Sequence, residues 1–378
     1  MDIPFNKPYF CGKESEMLLQ AAQSGHLSGN GEFTKKCQNF FESRYGFKKT
    51  FLTTSCTDAL EMAAILSNIT EGDEVICPSF AFVSTANAFV LRGAKIVFAD
   101  SEDNHPNIDA TKIEALITPK TKAIVVIHYA GVACDMDTIM AIANQHKLIV
   151  IEDAAQAIDA YYKGKALGSF GHFATFSFHE TKNIIAGEGG MLVVNDEQFV
   201  KRAEVIWEKG TNRAAFFRGE VDKYRWVDMG SSFLPSELIA AFLYAQLLSL
   251  DSIQNQRKEI WQNYYDGLYP LQEKGHIALP VIPASKSNNA HIFYLITQRG
   301  THRNELIAFL KAQGIHSVFH YLPLHASPFF SDKYGGKALN NVVRFSENIL
   351  RLPFFFELKP DEQKFVIDQI HRFFRNPK

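Results

Sequence analysis

The feature that most constrains the fold is an alternation of short apolar runs with amphipathic stretches, from residue 50 to about 200. Runs such as AIVVI and LIVIE are apolar on both faces, as expected for strands that helices cover on each side. Strand alternating with helix predicts an α/β domain with a mostly parallel sheet between helices. Ligands bind such sheets at the carboxyl ends of the strands, so we look for chemistry where the apolar runs end.

After about residue 235 the pattern changes, and a long helical stretch, SELIAAFLYAQLLSLDSIQNQRKEIWQNYYDGLYPL, breaks near Asp251 if it breaks at all. Beyond it, HIFYLITQ and SVFHYLP are predicted strands, and HRNELIAFLKAQGI and PDEQKFVIDQIHRFFRN are predicted helices. We therefore place a boundary near residue 250. Residues 1–250 are predicted to form a large α/β domain with an N-terminal segment, and residues 251–378 a small C-terminal α+β domain.

Composition excludes several classes of protein. The chain has 46% hydrophobic and 21% charged residues, which is typical of a globular protein, and its net charge of -2 with no basic block gives nucleic-acid binding no support. The five cysteines are scattered without a CxxC pair, which argues against a disulfide framework or a zinc site. The N-terminus, MDIPFNKPYF, does not resemble a signal peptide, and no apolar run reaches the length of a membrane span, so we expect a cytoplasmic protein.

Two polar groups follow predicted strands in the first half of the chain. Ser55–Thr57 lies where a strand passes into a helix, and free N–H groups and two hydroxyls there suit a phosphate. Glu152 and Asp153 end the buried run LIVIE, with Gln156 three residues after Asp153. A carboxylate at such a place is costly unless it is paired or hydrogen-bonded. For each group, simple helix capping is the alternative interpretation.

The third and fourth features are the segment FSFHETKN and the GEGG that follows at 187–190. A strand-like run delivers Lys182 into a small, Gly-rich turn, with Ser177 five residues earlier. The glycines let the backbone turn closely beside whatever the lysine holds. A solvated lysine is the alternative for Lys182, and His179 beside it is either a switch or base or, as we favour, a residue that packs near the ligand.

Together the four features predict a pyridoxal phosphate site. Chemistry with this cofactor needs a lysine amine for covalent attachment and proton transfer, and an acid that keeps the pyridine nitrogen protonated. It also needs a phosphate cup and an apolar face over the ring. Lys182, Asp153, Ser55–Thr57 with Ser177, and Phe82 in CPSFAF supply these in turn. The order of phosphate loop, then acid, then lysine is more specific than any one feature.

With these residues the sequence resembles, over essentially its whole length, the fold type I aminotransferases that act on nucleotide-linked keto-sugars. The family's phosphate loop, its Glu-Asp-Ala-Ala-Gln strand and its Ser-Phe, Lys, Gly-Glu-Gly-Gly segment correspond to Ser55–Thr57, Glu152–Gln156 and Ser177–Gly190. The resemblance implies the aminotransferase fold type I, with a large pyridoxal phosphate domain and a smaller C-terminal one. It also implies that Lys182 and Asp153 are catalytic.

The resemblance gives further residues a role at the cofactor. Phe82 is expected to stack on the ring, Gln156 to lie by the ring oxygen, and Ser177 to bind the phosphate. Two positions depart from the family. Cys56 stands where Gly is common, so a side chain must fit beside the phosphate loop. Ser232 stands where the family commonly has an Asn that crosses a homodimer interface to the phosphate, and Ser232 can still donate a hydrogen bond.

The segments PSFAFVSTANAFVLRGAKIVF and HYAGVACDMDTIM look closest to a family member that acts on a dTDP-linked keto-sugar, with L-glutamate as donor and 2-oxoglutarate as product. The resemblance leaves the aminated sugar position and its stereochemistry open. Some relatives are sugar dehydratases with histidine in place of the lysine, so the retained Lys182 favours transamination. A non-enzymatic sugar-nucleotide binder is a further alternative, against which the intact lysine, acid and phosphate cup argue.

His320 and His325, in HYLPLH, raise the question of a metal site. Their spacing of five matches neither the strand period nor a helix turn, and no acidic or Cys partner adjoins them. We expect no metal, and interpret the two histidines as core or substrate-pocket residues. The resemblance makes the HYLPLH segment part of the pocket wall, without a catalytic role.

Overall fold

A computed structural model describes residues 2–375. In chain order, its strands are β1 Lys49–Thr53, β2 Glu74–Pro78, β3 Lys95–Ala99, β4 Thr121–Ile127, β5 Ile149–Asp153, β6 Tyr161–Tyr162, β7 Lys165–Ala166, β8 Phe173–Ser177, β9 Gly190–Val194, β10 Ile277–Ala278, β11 Tyr294–Thr297, β12 Val318–Phe319 and β13 Ile349–Arg351. Its α-helices are α1 Glu14–Gln23, α2 Glu32–Tyr45, α3 Cys56–Leu66, α4 Val83–Val90, α5 Met136–His146, α6 Val200–Trp207, α7 Arg213–Phe217, α8 Glu237–Leu247, α9 Leu250–Glu273, α10 Gly300–Ala312, α11 Asn340–Asn348 and α12 Pro360–Arg375.

The larger sheet has the strand order β1-β9-β8-β5-β4-β2-β3. Strands β2, β3, β4, β5 and β8 are parallel, whereas β9 is antiparallel to both of its neighbours, β1 and β8. The carboxyl ends of β1, β5 and β8 therefore meet at one edge, where β9 begins. This confirms the predicted α/β fold with a mostly parallel sheet, and it brings the predicted functional segments to a common edge.

Both faces of the larger sheet are buried, as its apolar runs predict. In β4, Ala123, Val125 and Ile127 pack into one hydrophobic core, and the alternate residues Ile124 and Val126 pack into another. Alternation arises because successive side chains of a strand point to opposite faces. The sheet is thus held rigidly between two helical layers, and the side chains at its edge have fixed positions.

The smaller sheet, β10-β11-β13-β12, is antiparallel and belongs to the C-terminal part of the chain. A third core joins this sheet to α9, α10 and α12. The N-terminal segment reaches the same region, since Ile3 is buried in this core and bridges to Ile315. Helix α9 begins at Leu250, and the domain boundary near residue 250 stays a prediction.

Several elements differ in length from the sequence-based prediction. The long helix is interrupted at 248–249, between α8 and α9, slightly before the predicted position. The predicted strand HIFYLITQ is regular only over Tyr294–Thr297, and SVFHYLP only over Val318–Phe319. Of the flanking residues, His291, His320 and Tyr321 line a cavity.

Among residues 2–375, no helix is long and apolar enough to cross a membrane. The same residues contain no group of three or more His, Cys, Asp or Glu side chains placed to hold a metal ion.

Candidate active site

A cavity of about 590 Å³ opens at the edge where β1, β5 and β8 end. Residues from both sheets line it. The sequence-predicted site residues that face this cavity are Ser55, Cys56, Thr57, Phe82, Asp153, Gln156, Ser177 and Lys182. Segments that are more than 120 residues apart in sequence thus meet at one place, as the strand-end argument predicts.

The turn from β1 into α3 forms one wall of the cavity. Ser55 caps α3, because its side chain accepts a hydrogen bond from the Asp58 N–H at 3.1 Å. Its hydroxyl hydrogen is not used in that bond and can still be donated to an anion. Thr57 donates its hydroxyl to Ser84 at 2.8 Å, which fixes its side chain at the cavity wall. Helix capping and anion binding are therefore compatible at this turn.

Gly190 allows the strands to close around this turn. It is the first residue of β9 and is in register with Thr53 of β1 and with Ser177 of β8. A Cβ on Gly190 would lie 2.3 Å from the Ser55 carbonyl carbon and 2.4 Å from the Cys56 nitrogen. Only glycine permits this approach of two backbones, which keeps the N–H groups of the α3 N-terminus beside Ser177.

Asp153 is buried at the end of β5, with a relative exposure of 6%. The Thr85 hydroxyl donates to Oδ2 at 2.7 Å, and the Ala155 N–H donates to Oδ1 at 3.1 Å. Burial raises the pKa of Asp153, against the opposing effects of these hydrogen bonds and of Lys182. The two hydrogen bonds thus orient the ionised Asp153 carboxylate, but they and Lys182 do not fully offset the cost of burying its charge. The carboxylate therefore favours a cation beside it.

The neighbouring acid, Glu152, is satisfied within the protein. It accepts hydrogen bonds from the N–H groups of Gly168, Phe170 and Gly171, at 2.7–2.8 Å. The fourth partner is the His128 ring, whose Nε2 lies 2.9 Å from Glu152 Oε2. The pair Glu152-Asp153 therefore separates into a structural anchor on one face of β5 and a carboxylate that faces the cavity.

Lys182 follows β8 in a tight turn, in which its N–H donates to the His179 carbonyl at 2.9 Å. The turn is tied to the Gly-rich segment, because the Glu180 N–H donates to the Gly187 carbonyl at 2.9 Å. Burial lowers the pKa of Lys182, although Cys56 and Asp153 oppose the shift and Arg351 adds to it. A lysine with a lowered pKa has a larger neutral fraction, and the neutral amine is the nucleophile.

Three further predicted residues lie around this centre. Gln156 accepts from the Ala130 N–H at 2.7 Å and donates to the Tyr321 hydroxyl at 3.1 Å. Phe82 is 57% exposed at the mouth of the cavity, where a ring can stack on a planar ligand. Among residues 2–375, the Ser177 hydroxyl takes part in one hydrogen bond, accepted from the His179 N–H at 3.4 Å, and is available to a phosphate.

Three histidines of the predicted set have different surroundings. His179 lines the cavity, and its Nδ1 lies 3.0 Å from the Thr181 hydroxyl. His320 also lines the cavity, with its Nδ1 3.0 Å from the Tyr129 hydroxyl. His325 lies outside the cavity, bonded to the Ser79 hydroxyl at 2.7 Å. Of the HYLPLH segment, only the first two residues contribute to the wall.

Ser232 is exposed and lies outside the cavity of its own chain. Its position is fixed by a bridge to Glu208, close to an exposed segment that contains Trp226. A role at a phosphate, as the family resemblance implies for Ser232, would need the site of a second subunit.

Tyr321 lines the cavity as part of the HYLPLH segment, whereas sequence reasoning missed Thr85, His291 and Arg351, which also line it. His291 is buried and its Nδ1 lies 2.7 Å from the Asn183 Oδ1, which can only accept, so the His291 ring donates there. The one sequence signal for His291 is indirect: its hydrogen-bond partner, Asn183, directly follows Lys182 in the chain. The other residues give no local signal, because distant strands and loops bring them in.

The residues present fit pyridoxal phosphate. The Gly190 cradle, the α3 N-terminus and the Ser177 hydroxyl form a cup with hydrogen-bond donors for a phosphate. Asp153 suits a protonated ring nitrogen, and Lys182 an aldehyde. The buried Thr175 hydroxyl has no partner within the described chain and lies on β8, beside Asp153 of β5 in the register. Cys56 fits at the loop as a neutral side chain, because burial raises the pKa of its thiol.

A model of the DegT/DnrJ/EryC1/StrS aminotransferase family matches residues 10–371. The spore coat polysaccharide biosynthesis protein SpsC of Bacillus subtilis is 33% identical over 377 residues, covering 97% of this chain and 96% of that protein. GDP-perosamine synthase of Caulobacter vibrioides is 35% identical over 331 residues, covering 85% of each chain. The structure of S. venezuelae DesV with a ketimine intermediate is 28% identical and superposes over 100% of both chains with a TM-score of 0.91.

Proposed function

Because this chain belongs to the DegT/DnrJ/EryC1/StrS aminotransferase family, we propose that it transfers the amino group of L-glutamate to the C4 ketone of dTDP-4-keto-6-deoxyglucose. The family resemblance expected from the sequence is confirmed, and the chain is a pyridoxal phosphate-dependent sugar aminotransferase. The proposed product is dTDP-4-amino-4,6-dideoxygalactose, with 2-oxoglutarate as the second product. The chain would then be a dTDP-4-amino-4,6-dideoxygalactose transaminase.

The observation that carries the proposal is the convergence of Lys182, Asp153 and the Ser55–Thr57 turn on one cavity. Bound pyridoxal phosphate supplies an electron sink for the carbanion that forms when glutamate loses its α proton. The Lys182 amine would hold the cofactor covalently at rest and, once freed, would take the α proton of glutamate. In the second half of the reaction, the same amine would deliver a proton to C4 of the sugar.

Asp153 would hold a proton on the ring nitrogen of the bound cofactor, and its geometry supports this role. Thr85 and Ala155 each donate to one carboxylate oxygen, so the carboxylate cannot turn away from the cavity. Burial, which raises the pKa of Asp153, also strengthens its attraction to a nearby cation. Ser55, Cys56, Thr57 and Ser177 would hold the phosphate, Phe82 would cover the ring and Gln156 would lie by the ring oxygen.

The choice of sugar rests on the segments PSFAFVSTANAFVLRGAKIVF, HYAGVACDMDTIM and HETKN. We infer a role in bacterial surface-polysaccharide synthesis, such as that of lipopolysaccharide or enterobacterial common antigen. A relative named for spore coat polysaccharide biosynthesis fits that setting. Another nucleotide-linked keto-sugar is the second candidate, because a relative at 35% identity is a GDP-perosamine synthase.

A homodimer with active sites near the interface is part of the proposal. Phe217, Tyr224 and Trp226 are exposed by 70%, 56% and 83% in a segment just before Ser232. Exposed aromatic clusters of this kind mark interaction surfaces. A second copy of the chain would cover this segment and bring Ser232 toward the partner's phosphate cup.

The decisive experiment incubates the protein with dTDP-4-keto-6-deoxyglucose and L-glutamate and identifies the product by NMR. We expect an amine at C4 with the galacto configuration. A GDP-linked 4-keto-6-deoxy sugar is the matched control, and we expect no product from it. Amination of the GDP-sugar alone would contradict the dTDP assignment and favour the second candidate.

A further inference from the structure

His291 belongs to a buried corner of the chain just before β11, and two separate segments hold this corner. The side chain of the neighbouring Asn289 donates to the carbonyls of Gln156 and Ile158, both at 2.8 Å. The Arg257 side chain of α9 donates to the His291 carbonyl at 2.6 Å. The backbone of His291 is thus tied both to α9 and to the segment that follows Asp153.

The corner contains a strained residue. Ala290, directly before His291, has a φ of +50°, in the left-handed region that residues with a side chain seldom adopt. Arg257 also donates to the Ala290 carbonyl at 3.0 Å, which helps to hold this conformation. Strain of this kind is common at functional sites. It indicates that the direction of the His291 side chain matters, since a relaxed backbone at Ala290 would point that side chain elsewhere.

Asn183 determines which nitrogen of the His291 ring carries the hydrogen. Its Oδ1 lies 2.7 Å from His291 Nδ1. Its Nδ2 donates to the Asn289 carbonyl at 2.9 Å and to Gln254 Oε1 at 2.8 Å. Because a backbone carbonyl can only accept, the Asn183 amide cannot be reversed, and Oδ1 must face the ring. The hydrogen is therefore on Nδ1.

The second ring nitrogen, Nε2, is a hydrogen-bond acceptor that faces the cavity. Burial lowers the pKa of His291 well below its ordinary value, and the neighbours that lower it further are Lys182, Arg257, Arg351 and His320. The ring is therefore neutral, and with a hydrogen on Nδ1 its Nε2 has only a lone pair. Nε2 makes no hydrogen bond within residues 2–375 and is open to the cavity that the ring lines.

Lys182 is the donor that this acceptor suits. It directly precedes Asn183 in the chain and lines the same cavity as the ring. Among the neighbouring side chains, Lys182 has the largest effect on the pKa of His291, as expected for two groups that lie close together. Asp153 also attracts Lys182, but in the proposed complex that carboxylate serves the ring nitrogen, across the pyridine ring from the aldehyde that Lys182 binds.

We propose that His291 Nε2 accepts a hydrogen bond from the Lys182 ammonium, and that Asn183 keeps the ring in the form that can accept it. A hydrogen bond to the charged form of a group favours that form, so this contact would oppose the effect of burial on Lys182. In the proposed function Lys182 takes the α proton of the donor, and an acceptor for the resulting ammonium would speed that step. The inference rests on the proposed function for this last step alone. His291 is thus a positioning residue that acts through Lys182.

The first test measures how readily Lys182 loses its proton in the cofactor-free protein. Acetic anhydride acetylates only neutral amines, and mass spectrometry of the peptide that carries Lys182 gives the rate across pH. The rate at pH 7 is divided by the plateau rate at high pH, so that a change in accessibility cancels. For His291→Leu we expect this ratio to rise about tenfold, because the ammonium loses one hydrogen bond. The other groups that act on Lys182 stay the same in this variant: Cys56, Asp153 and Arg351.

Two further variants separate this contact from a structural effect. His291→Gln should return the ratio to within about threefold of the parent, because its amide can donate to Asn183 while its oxygen faces Lys182. His105→Leu is the matched control, since His105 is as buried as His291 but lies outside the cavity, and we expect the parent ratio. An unchanged ratio in His291→Leu, or an equal rise in all three variants, would overturn the proposal.

The second test uses the cofactor-loaded protein and L-glutamate in single turnovers. His291→Leu should lower the rate constant for conversion of the cofactor to its amine form about tenfold, with the Kd for glutamate changed by less than about threefold. A weaker Kd with an unchanged rate constant would overturn the proposal, because it would show that His291 contacts the donor instead. If the parent does not react with glutamate but the acetylation ratio rises as expected, the proposed function is wrong and the contact between His291 and Lys182 stands.

Discussion

Replacing Asp153 by Asn removes a charge from the cavity while keeping the size of the side chain. In the native protein, Oδ1 accepts from the Ala155 N–H at 3.1 Å and Oδ2 from the Thr85 hydroxyl at 2.7 Å. An asparagine can keep both contacts, with its oxygen toward Ala155 and its amide donating to the Thr85 oxygen, because a hydroxyl also accepts. The variant therefore tests charge more than shape.

The expected loss is large because Asp153 is only 6% exposed and faces a cationic ring nitrogen in the proposed complex. In a shielded site, losing that charge should raise the barrier to the proton shift by ~4 kcal/mol, or roughly a thousandfold in rate. Cofactor binding should weaken far less, because the phosphate cup and Lys182 remain. A residue that only caps a helix would show almost no effect, since Asn caps about as well as Asp.

The assay is the single-turnover conversion of the bound cofactor to its amine form by glutamate, compared between Asp153→Asn and the parent. Asp135→Asn is the matched control. Asp135 caps α5 by accepting from the Thr138 N–H at 3.3 Å, and we expect its variant to react at a near-normal rate. A near-normal rate in a folded, cofactor-loaded Asp153→Asn variant would refute the assignment of Asp153 to the ring nitrogen.

The same substitution has a second consequence, for the cofactor-free protein. Burial raises the pKa of Asp153 above its ordinary value of 3.8. A raised folded-state pKa means that the stability contributed by this carboxyl is greatest below the unfolded value and falls as pH rises through the folded one. At neutral pH the buried, ionised carboxylate destabilises the folded state, so Asp153→Asn should leave the Tm unchanged or raise it. The increase in Tm should be smaller near pH 4. A clearly lower Tm at pH 7 would show that Asp153 is needed for folding.

Three other tests address the cup, the lysine and the interface. Borohydride treatment of the loaded protein should fix the cofactor's mass on the peptide that carries Lys182, and a label on another lysine would contradict the site. Gly190→Ala places a Cβ 2.3 Å from the Ser55 carbonyl carbon and should weaken cofactor affinity about tenfold or more, as overpacking costs about 1–3 kcal/mol. Gly189→Ala is its control, because its nearest neighbour is 3.4 Å away. Trp226→Asp should shift the protein toward monomer in sedimentation and lower activity, and a fully active monomer at high dilution would argue against interface-dependent sites.

The parts of the fold that the sequence predicts are those set by local pattern. The apolar runs around Val125 and Ile151 bury both faces, so they identify parallel strands without tertiary information. The carboxyl-end argument then places Asp153 and Lys182 at one edge, which the topology bears out. The antiparallel insertion of β9 between β1 and β8 was not foreseen, because its run GMLVV is as apolar as its parallel neighbours.

Short elements of the C-terminal part were the hardest to predict. Strands β12 and β13 have two and three residues, too few for a periodicity to show. Their pairing depends on how the small sheet packs against α9, α10 and α12. Arg351 therefore looks like an ordinary surface arginine in the sequence, and only the structure shows that its side chain lines the cavity and that its buried Nε has no hydrogen-bond partner among residues 2–375.

The candidate site therefore has two halves: one is set by local sequence pattern, and the other by tertiary packing. The proposed cofactor half, around Lys182 and Asp153, is built from strand ends of one sheet, so local sequence encodes it. The other half of the cavity, around Tyr321 and Arg351, comes from the later part of the chain, and we expect it to contact the substrate; the packing of the second sheet brings it to the cavity. Substitutions in the substrate half should therefore change which donor or sugar reacts while leaving the cofactor bound. Those in the cofactor half should affect every substrate alike, because all of them depend on the same lysine and the same carboxylate.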